Sequence, residues 1–246
     1  ESVGGITVEG GMDDEGPETH ERYDFEEESN RGWLVSRQRK EYLGERWREN
    51  VLRAKRESAM LVDVAEGEVL VAPPDKMSAR GLVVLDFHNV VDENPTKFVH
   101  QISKWNAEGV RTYVLSYVGR GGAMHARLLR DMSVPAVQAV LAGLLVVFEK
   151  KHPQKGKGHL VYNLWCEVAN PGRVTPLPCY FVDDRLLNCD NVRQYCRGNP
   201  LPGKATLGDL RIVHYTAVSD KGHTPRHFLR VDTFHELIHT IRFPAP

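Results

Sequence analysis

Short apolar runs alternate with amphipathic stretches along most of the chain. The runs are four to six residues long and apolar on both faces, which is typical of strands buried in a parallel sheet. In the stretches between them apolar residues recur with helical spacing, as at Phe98 and Ile102. The strict alternation predicts an α/β fold with a doubly wound, mainly parallel sheet and helices on both faces. Five strands are predicted, over 82–85, 110–115, 144–148, 179–182 and 210–215.

Turn and capping residues mark the ends of the predicted helices. Asn94-Pro95 provides an N-cap residue and a proline at the first helical position, and Gly109 ends the same helix. A second helix is predicted to follow Gly121-Gly122. Further helices are predicted over 160–168, 188–195 and 231–241.

The first third of the chain differs in charge from the remainder. The first thirty residues contain eleven Asp or Glu and one Arg, and we expect residues 1–32 to form an acidic, disordered tail. Residues 33–76 are rich in Arg and Lys, and Pro73-Pro74 lies close to their end. This change in composition predicts that the α/β domain comprises residues 77–246.

A basic amphipathic helix is predicted over 36–58. Leu43, Trp47 and Val51 recur every four residues among the basic side chains. Such a helix packs its apolar stripe on the domain, or acts as a basic arm that contacts nucleic acid or an acidic partner. Two apolar runs around a Glu-Gly-Glu turn predict a short hairpin over 60–71.

Overall composition restricts the possible function classes. The 246 residues carry a formal net charge of −1, so no global positive field points to nucleic acid. The longest apolar run, 134–148, is too short to span a bilayer, and we expect no membrane partner. The four cysteines form no C-x-x-C pair, and no signal peptide is visible. We therefore expect an intracellular protein with reduced thiols. Because the chain begins with Glu1, it is expected to be a piece of a longer protein.

Acidic residues follow two of the predicted strands. Asp86 comes directly after the first strand, and Asp183-Asp184 follows the fourth. Open α/β sheets place their ligand crevice at the carboxyl ends of the strands. If these two ends are neighbours, three carboxylates converge there and need a cation or a proton between them. The pattern therefore predicts a divalent-metal site.

The order of polar residues resembles the haloacid dehalogenase (HAD) superfamily. Its first motif is an apolar strand followed by D-x-D-x-[TV]-[LV], and residues 83–91 read VVLDFHNVV. Its second motif, a Ser or Thr at a strand end, is matched by Ser116, and its fourth, an acidic pair after a strand, by Asp183-Asp184. The third, a lysine near a helix start, is matched by Lys155 or Lys157; Lys157 is preferred because it leads directly into a helix. The resemblance covers about 81–241.

The resemblance implies a Mg²⁺-dependent phosphohydrolase that acts through an aspartyl-phosphate on Asp86. Asp86, Asp184 and Asp183 would hold Mg²⁺, with the backbone carbonyl of His88 as a further ligand. Ser116 would donate to a phosphoryl oxygen, and the motif lysine would balance the charge of nucleophile and phosphate. The short spacing between motifs predicts no large cap domain. An open site of this kind implies a phosphorylated substrate, either a small molecule or a macromolecule.

One position departs from the motif. Phosphatases of the family carry a second Asp two residues after the nucleophile, whereas this chain has His88. Imidazole can perform general acid–base catalysis near neutral pH. Two hypotheses follow: a phosphatase with an unusual acid, or a catalytically impaired HAD-like module that binds partners.

A second motif points to a different chemistry. His235, Glu236 and His239 match the H-E-x-x-H pattern of zinc hydrolases. The alternative is a C-terminal amphipathic helix that packs on the sheet. Only seven residues follow His239, which leaves little chain for a third ligand, so zinc is the remote alternative.

Overall fold

The protein is described by a computed structural model, which covers residues 6–9, 20–23, 62–118, 122–148, 156–169, 175–216 and 224–243. Eight strands form one sheet in the spatial order β1-β2-β5-β4-β3-β6-β7-β8. The strands are β1 (Ile6–Glu9), β2 (His20–Tyr23), β3 (Gly81–Leu85), β4 (Val110–Val118), β5 (Gly143–Phe148), β6 (Cys179–Asp183), β7 (Leu210–Tyr215) and β8 (Leu229–Val231).

Six helices accompany the sheet in the described residues. They are α1 (Pro95–Ala107), α2 (Ala123–Met132), α3 (Pro135–Val140), α4 (Gly158–Ala169), α5 (Leu186–Gly198) and α6 (Phe234–Thr240), with a short 3-10 turn at Val91–Glu93. The N-cap predicted for α1 is confirmed, because the side chain of Asn94 accepts a hydrogen bond from the backbone N–H of Lys97 at 3.3 Å. Gly109 follows the helix with a φ of 81°, a conformation that glycine adopts without strain.

The six strands from β3 to β8 are all parallel. Counted along the chain, their spatial order is 3-2-1-4-5-6, which is the order of a Rossmann-like doubly wound sheet. The direction of winding reverses between β3 and β6, so the crevice of the fold opens at the carboxyl ends of these two strands. The predicted fold class is therefore confirmed.

Two apolar layers cover the sheet. One layer packs α1, α2, α3 and α6 against side chains such as Val83 and Leu85 of β3. The other packs α4 and α5 against the alternate residues of the same strand, Leu82 and Val84. Because successive side chains of a strand face opposite sides, a strand buried on both faces must be apolar throughout. Every residue of β3 is buried.

No cap domain is inserted between β3 and β4. Residues 86–109 are described throughout and contain only the 3-10 turn and α1 beside connecting loops. The prediction of no large cap domain is therefore met between these two strands.

Several predicted elements differ from the structure. The helix predicted over 231–241 begins only at Phe234, because Leu229–Val231 extends the sheet as β8. The apolar run 134–148 contains α3 before β5. Strands β1 and β2 lie within the segment predicted to be disordered, 1–32. The rest of that segment and the basic helix predicted over 36–58 lie outside the described residues.

The predicted hairpin over 60–71 is replaced by a strap, residues 62–76. A turn is present, closed by the hydrogen bond from the backbone N–H of Glu68 to the carbonyl of Ala65 at 2.9 Å. The residues of the strap form no strand. Their backbone polar groups are instead satisfied by side chains of α1, as where the N–H of Val71 donates to Ser103 Oγ at 2.8 Å.

Within the part of the chain that the structure describes, none of the helices combines the length and the apolar character needed to cross a membrane.

Candidate metal centre

Three carboxylates meet where β3 and β6 end. Leu85 of β3 is paired with Val182 of β6, so Asp86 and Asp183 leave the sheet side by side. Asp184 follows in the next position, and all three residues are buried. One carboxylate oxygen from each of the three lies within 4.8 Å of the others. The structure thus brings together the acidic residues that were predicted to converge.

Lys157 is placed inside this acidic cluster. Its side chain is 0% exposed, and its Nζ lies 2.7 Å from Asp86 Oδ1 and 2.6 Å from Asp183 Oδ2. The residue directly precedes α4, whose first turn brings it to the carboxyl edge of the sheet. Lys155, the other candidate for the motif lysine, lies outside the described residues. A fully buried ammonium group of this kind is stable only when it is paired.

Backbone and amide donors hold the carboxylates in place. Asp86 Oδ1 accepts a hydrogen bond from the N–H of Phe87 at 2.8 Å. Asp183 Oδ1 accepts from the N–H of Arg185 and from the side-chain amide of Asn188, both at 2.9 Å. These donors fix the orientation of both carboxylates and satisfy lone pairs that burial removes from water.

Acidic groups outnumber basic groups in the cluster. Three carboxylates surround a single ammonium group in a buried site. Burial, together with repulsion from Asp183 and Asp184, raises the pKa of Asp86 from 3.8 to about 8 against the opposing effect of Lys157. Burial also raises the pKa of Asp184, although the hydrogen bond from Asn89 opposes this rise. The pKa of Lys157 is raised as well: burial lowers it, but Asp183 and Asp86 outweigh that effect.

The residues present fit a divalent cation. Carboxylate oxygens are the donors that Mg²⁺ prefers, and one from each of the three Asp residues lies within 4.8 Å of the others. An ion bound here would replace the proton that the raised pKa of Asp86 retains. The acidic cluster of Asp86, Asp183 and Asp184 could therefore hold a metal ion.

Ser116 lies at the same edge of the sheet. It belongs to β4, which extends beyond β3: Leu85 is level with Val114, so Ser116 lies two positions farther toward the carboxyl edge. The residue is 0% exposed, and within the described part of the chain its Oγ has no hydrogen-bond partner. A buried hydroxyl without a partner is uncommon, so Ser116 is a candidate donor to a group bound at this edge.

The side chain of His88 is separate from the acidic cluster. Its ring packs edge-on against Phe87 with centroids 4.8 Å apart. Both ring nitrogens are shielded from solvent and make no hydrogen bond within the described residues; Nδ1 lies 3.6 Å from Asp92 Oδ2. The predicted metal contact of His88 involves its backbone carbonyl, and that prediction remains a prediction.

The H-E-x-x-H motif lies on α6, away from the acidic cluster. The rings of His235 and His239 pack edge-on with centroids 4.3 Å apart. Glu236 takes part in the start of the helix: its N–H donates to Thr233 Oγ1 at 3.1 Å, and its carboxylate accepts from the N–H of Asp232 at 2.8 Å. In the described ranges no third ligating residue joins the two histidines. The predicted zinc site remains a prediction.

Sequence patterns did not identify three residues of the site. Asn188 supports Asp183, Asn89 donates to Asp184 at 2.9 Å, and His214 contacts the backbone carbonyl of Asp184 at 3.1 Å. Asn188 and Asp183 are five residues apart, so a helix-start pattern could have indicated that contact. The other two contacts join distant segments, and no local sequence signal predicts them.

Comparison of the chain with protein-family models, curated proteins and solved structures finds no match. The resemblance to the HAD superfamily therefore rests on the sequence motifs alone and remains a prediction.

Proposed function

We propose that the chain is an HAD-like, Mg²⁺-dependent phosphohydrolase whose nucleophile is Asp86. One observation carries this proposal: a fully buried Lys157 joins Asp86 to Asp183 at the carboxyl edge of the sheet, with Asp184 alongside. Carboxylates and an ammonium group in this arrangement can take up both a cation and a phosphoryl group. Burial in a low-dielectric site strengthens each of these interactions.

In the proposed reaction Asp86 attacks phosphorus. Lys157 and the N–H of Phe87 both bind Oδ1, which leaves Oδ2 as the attacking oxygen. A bond forms between Oδ2 and phosphorus while the bond to the leaving oxygen breaks, and that oxygen takes up a proton. Water then attacks the aspartyl-phosphate and releases inorganic phosphate. A bound Mg²⁺ would supply positive charge that reduces the repulsion between the carboxylate and the phosphate dianion.

Two further residues take part in the proposed reaction. The Ser116 hydroxyl, which is buried and has no hydrogen-bond partner among the described residues, donates to a phosphoryl oxygen. His88 donates the proton to the leaving oxygen and then accepts a proton from the attacking water.

The proposed substrate is a phosphorylated small molecule or macromolecule. The absence of an insertion between β3 and β4 leaves this side of the crevice open to either class. The predicted contact of the basic segment 36–58 with nucleic acid lies outside the described residues and remains a prediction.

An aryl-phosphate assay with and without Mg²⁺ tests the proposal. We expect Mg²⁺-dependent release of phosphate by the wild type and a loss of at least about 10³-fold in kcat for Asp86→Asn, because the amide cannot form the covalent intermediate. Asp190→Asn is the matched control, since the Asp190 side chain is 46% exposed on α5, and it should retain full activity. Turnover that survives in Asp86→Asn would exclude Asp86 as the nucleophile.

A second candidate function is a module that binds a cation and phosphate with little turnover. The observation in its favour is His88: an imidazole stands where phosphatases of the family carry a carboxylic acid, and no hydrogen bond from the described residues orients its ring. The variant His88→Asp separates the two functions. A gain of activity indicates an impaired site, whereas a loss indicates that His88 is the acid–base group.

Zinc hydrolysis through His235 and His239 remains the remote alternative, and stoichiometric zinc that is lost in His235→Ala would support it.

A further inference from the structure

Asn89 links the two loops that form the candidate metal centre. It lies in the loop after β3, and its side-chain Nδ2 donates a 2.9 Å hydrogen bond to Oδ2 of Asp184, 95 residues away in the sequence. Asp184 follows β6, so this single bond spans the point where the winding of the sheet reverses. The side chain of a loop residue thereby contacts one of the three clustered carboxylates.

The backbone of Asn89 has an unusual conformation. Its φ is +58°, and it is the only residue other than glycine with a positive φ in the described part of the chain. The N–H of Asn89 donates to Asp92 Oδ1 at 2.6 Å, which holds the turn. Glycine and asparagine both tolerate this left-handed region. The turn alone would therefore accept glycine, and only the contact with Asp184 requires the amide.

The amide affects Asp184 in two ways. Its donation restrains the orientation of the carboxylate, because it favours the side-chain rotation that places Oδ2 against the amide. Its neutrality leaves the charge of the cluster unchanged, whereas a lysine at this position would add a positive charge that competes with a cation. Hydrogen-bond partners of metal-ligating carboxylates commonly change metal affinity by 10- to 100-fold.

We infer that Asn89 is a positioning residue of the cation site, which holds the Asp184 carboxylate in the orientation that binds the ion. The inference rests on the proposed function, because it assumes that the three carboxylates hold a cation. The motif comparison assigns no role to Asn89. The inference gives this residue an effect on the affinity of the site for the cation.

Calorimetric titration with Mg²⁺ alone tests the inference on the full chain. In Asn89→Gly the positive φ is retained and the amide is lost, so we expect the Kd for Mg²⁺ to rise by about 10-fold. The urea denaturation midpoint in EDTA should stay at the wild-type value. Asn199→Gly is the matched control: Asn199 caps the far end of α5, and its loss should leave the Kd unchanged.

Two results would overturn the inference. A Kd for Asn89→Gly within twofold of the wild type would show that the amide does not position Asp184. A lower denaturation midpoint in EDTA with no change in Kd would show a structural role only.

If the wild type binds no Mg²⁺, both this inference and the metal part of the proposed function fail. If wild type binds Mg²⁺ but Asp86→Asn remains active, the nucleophile alone is wrong, and the test of Asn89 still stands.

Discussion

Among the single residues of the site, Lys157 makes the contacts that join Asp86 to Asp183. An ammonium group that is fully buried between Asp86 and Asp183 loses its hydration, and only close carboxylates can compensate for that loss. The same contacts place three carboxylates around a single ammonium group, and a cation bound beside them would add positive charge to the site.

The first prediction concerns the pH dependence of stability without divalent ions. The pKa of Asp86 is raised to about 8 by burial and by its acidic neighbours, whereas in the unfolded chain it returns to about 4. Between these two values the folded state binds a proton that the unfolded chain has released, so the free energy of unfolding falls as pH rises. The fall approaches about 1.4 kcal/mol per pH unit for one proton.

Urea denaturation in EDTA between pH 5 and 8 measures this slope. In Asp86→Asn the slope should be smaller, because the titrating group is absent, and in the exposed-site control Asp190→Asn it should equal the wild-type slope. Equal slopes in the wild type and in Asp86→Asn would contradict the prediction. Addition of Mg²⁺ should stabilise the wild type more at pH 8 than at pH 6, because the ion displaces the retained proton.

Helix α4 shows how one element sets the geometry of the site. Its first residue, Gly158, approaches α5 so closely that a methyl group there would lie 2.6 Å from Tyr195 Cβ and 2.7 Å from the carbonyl oxygen of Asn191. The N–H of Gly158 donates to Asn191 Oδ1 at 2.6 Å. Because Lys157 is the preceding residue, the close contact between the helices also fixes the position of the ammonium group.

The second prediction therefore concerns Gly158→Ala. The added methyl group must separate α4 from α5, since one of the atoms it meets is backbone, and we expect a loss of about 1–3 kcal/mol in the free energy of unfolding. The displacement of Lys157 should also weaken phosphatase activity. Denaturation and the aryl-phosphate assay measure the two effects. Gly198→Ala is the matched control: no atom lies within 4 Å of its added methyl group, so its stability should be equal to or above that of the wild type.

At the scale of the whole molecule the strap, residues 62–76, precedes β3 and is held against α1. Asn106 of α1 donates to the carbonyl of Val71 at 2.7 Å and to that of Val140, the last residue of α3, at 2.8 Å. His100 pairs with Glu68 at 2.8 Å. One face of α1 thus satisfies the backbone polar groups of an extended segment that forms no strand.

The third prediction concerns Asn106→Ala. Loss of the amide leaves two carbonyl groups without their donor, one of them buried, and we expect a destabilisation of about 1–3 kcal/mol. Cleavage within residues 62–76 should become faster in limited proteolysis, because the strap is held less tightly. Lys104→Ala, an exposed change on the same helix, should alter neither result. Unchanged proteolysis of Asn106→Ala would show that other contacts hold the strap.

Sequence patterns predict elements that depend on neighbouring residues, and they miss contacts between segments that are far apart in the chain. The five long strands were correctly predicted because burial on both faces leaves a continuous apolar run. Strand β8 was missed: two of its three residues are exposed at the sheet edge, so its sequence lacks that signal. The hairpin prediction was wrong because the same alternation of apolar and polar residues fits a segment whose partners are helix side chains.

The sequence by itself determined the fold class and the acidic residues that gather at one sheet edge, because hydrophobic periodicity and strand-end position are local properties of a chain. Only the tertiary structure decided the depth at which Lys157 is buried, the bond from Asn89 to Asp184 and the isolation of the Ser116 hydroxyl. These features depend on contacts between segments that are far apart in sequence. Packing of the complete sheet and both helical layers fixes such contacts, and no local pattern encodes them.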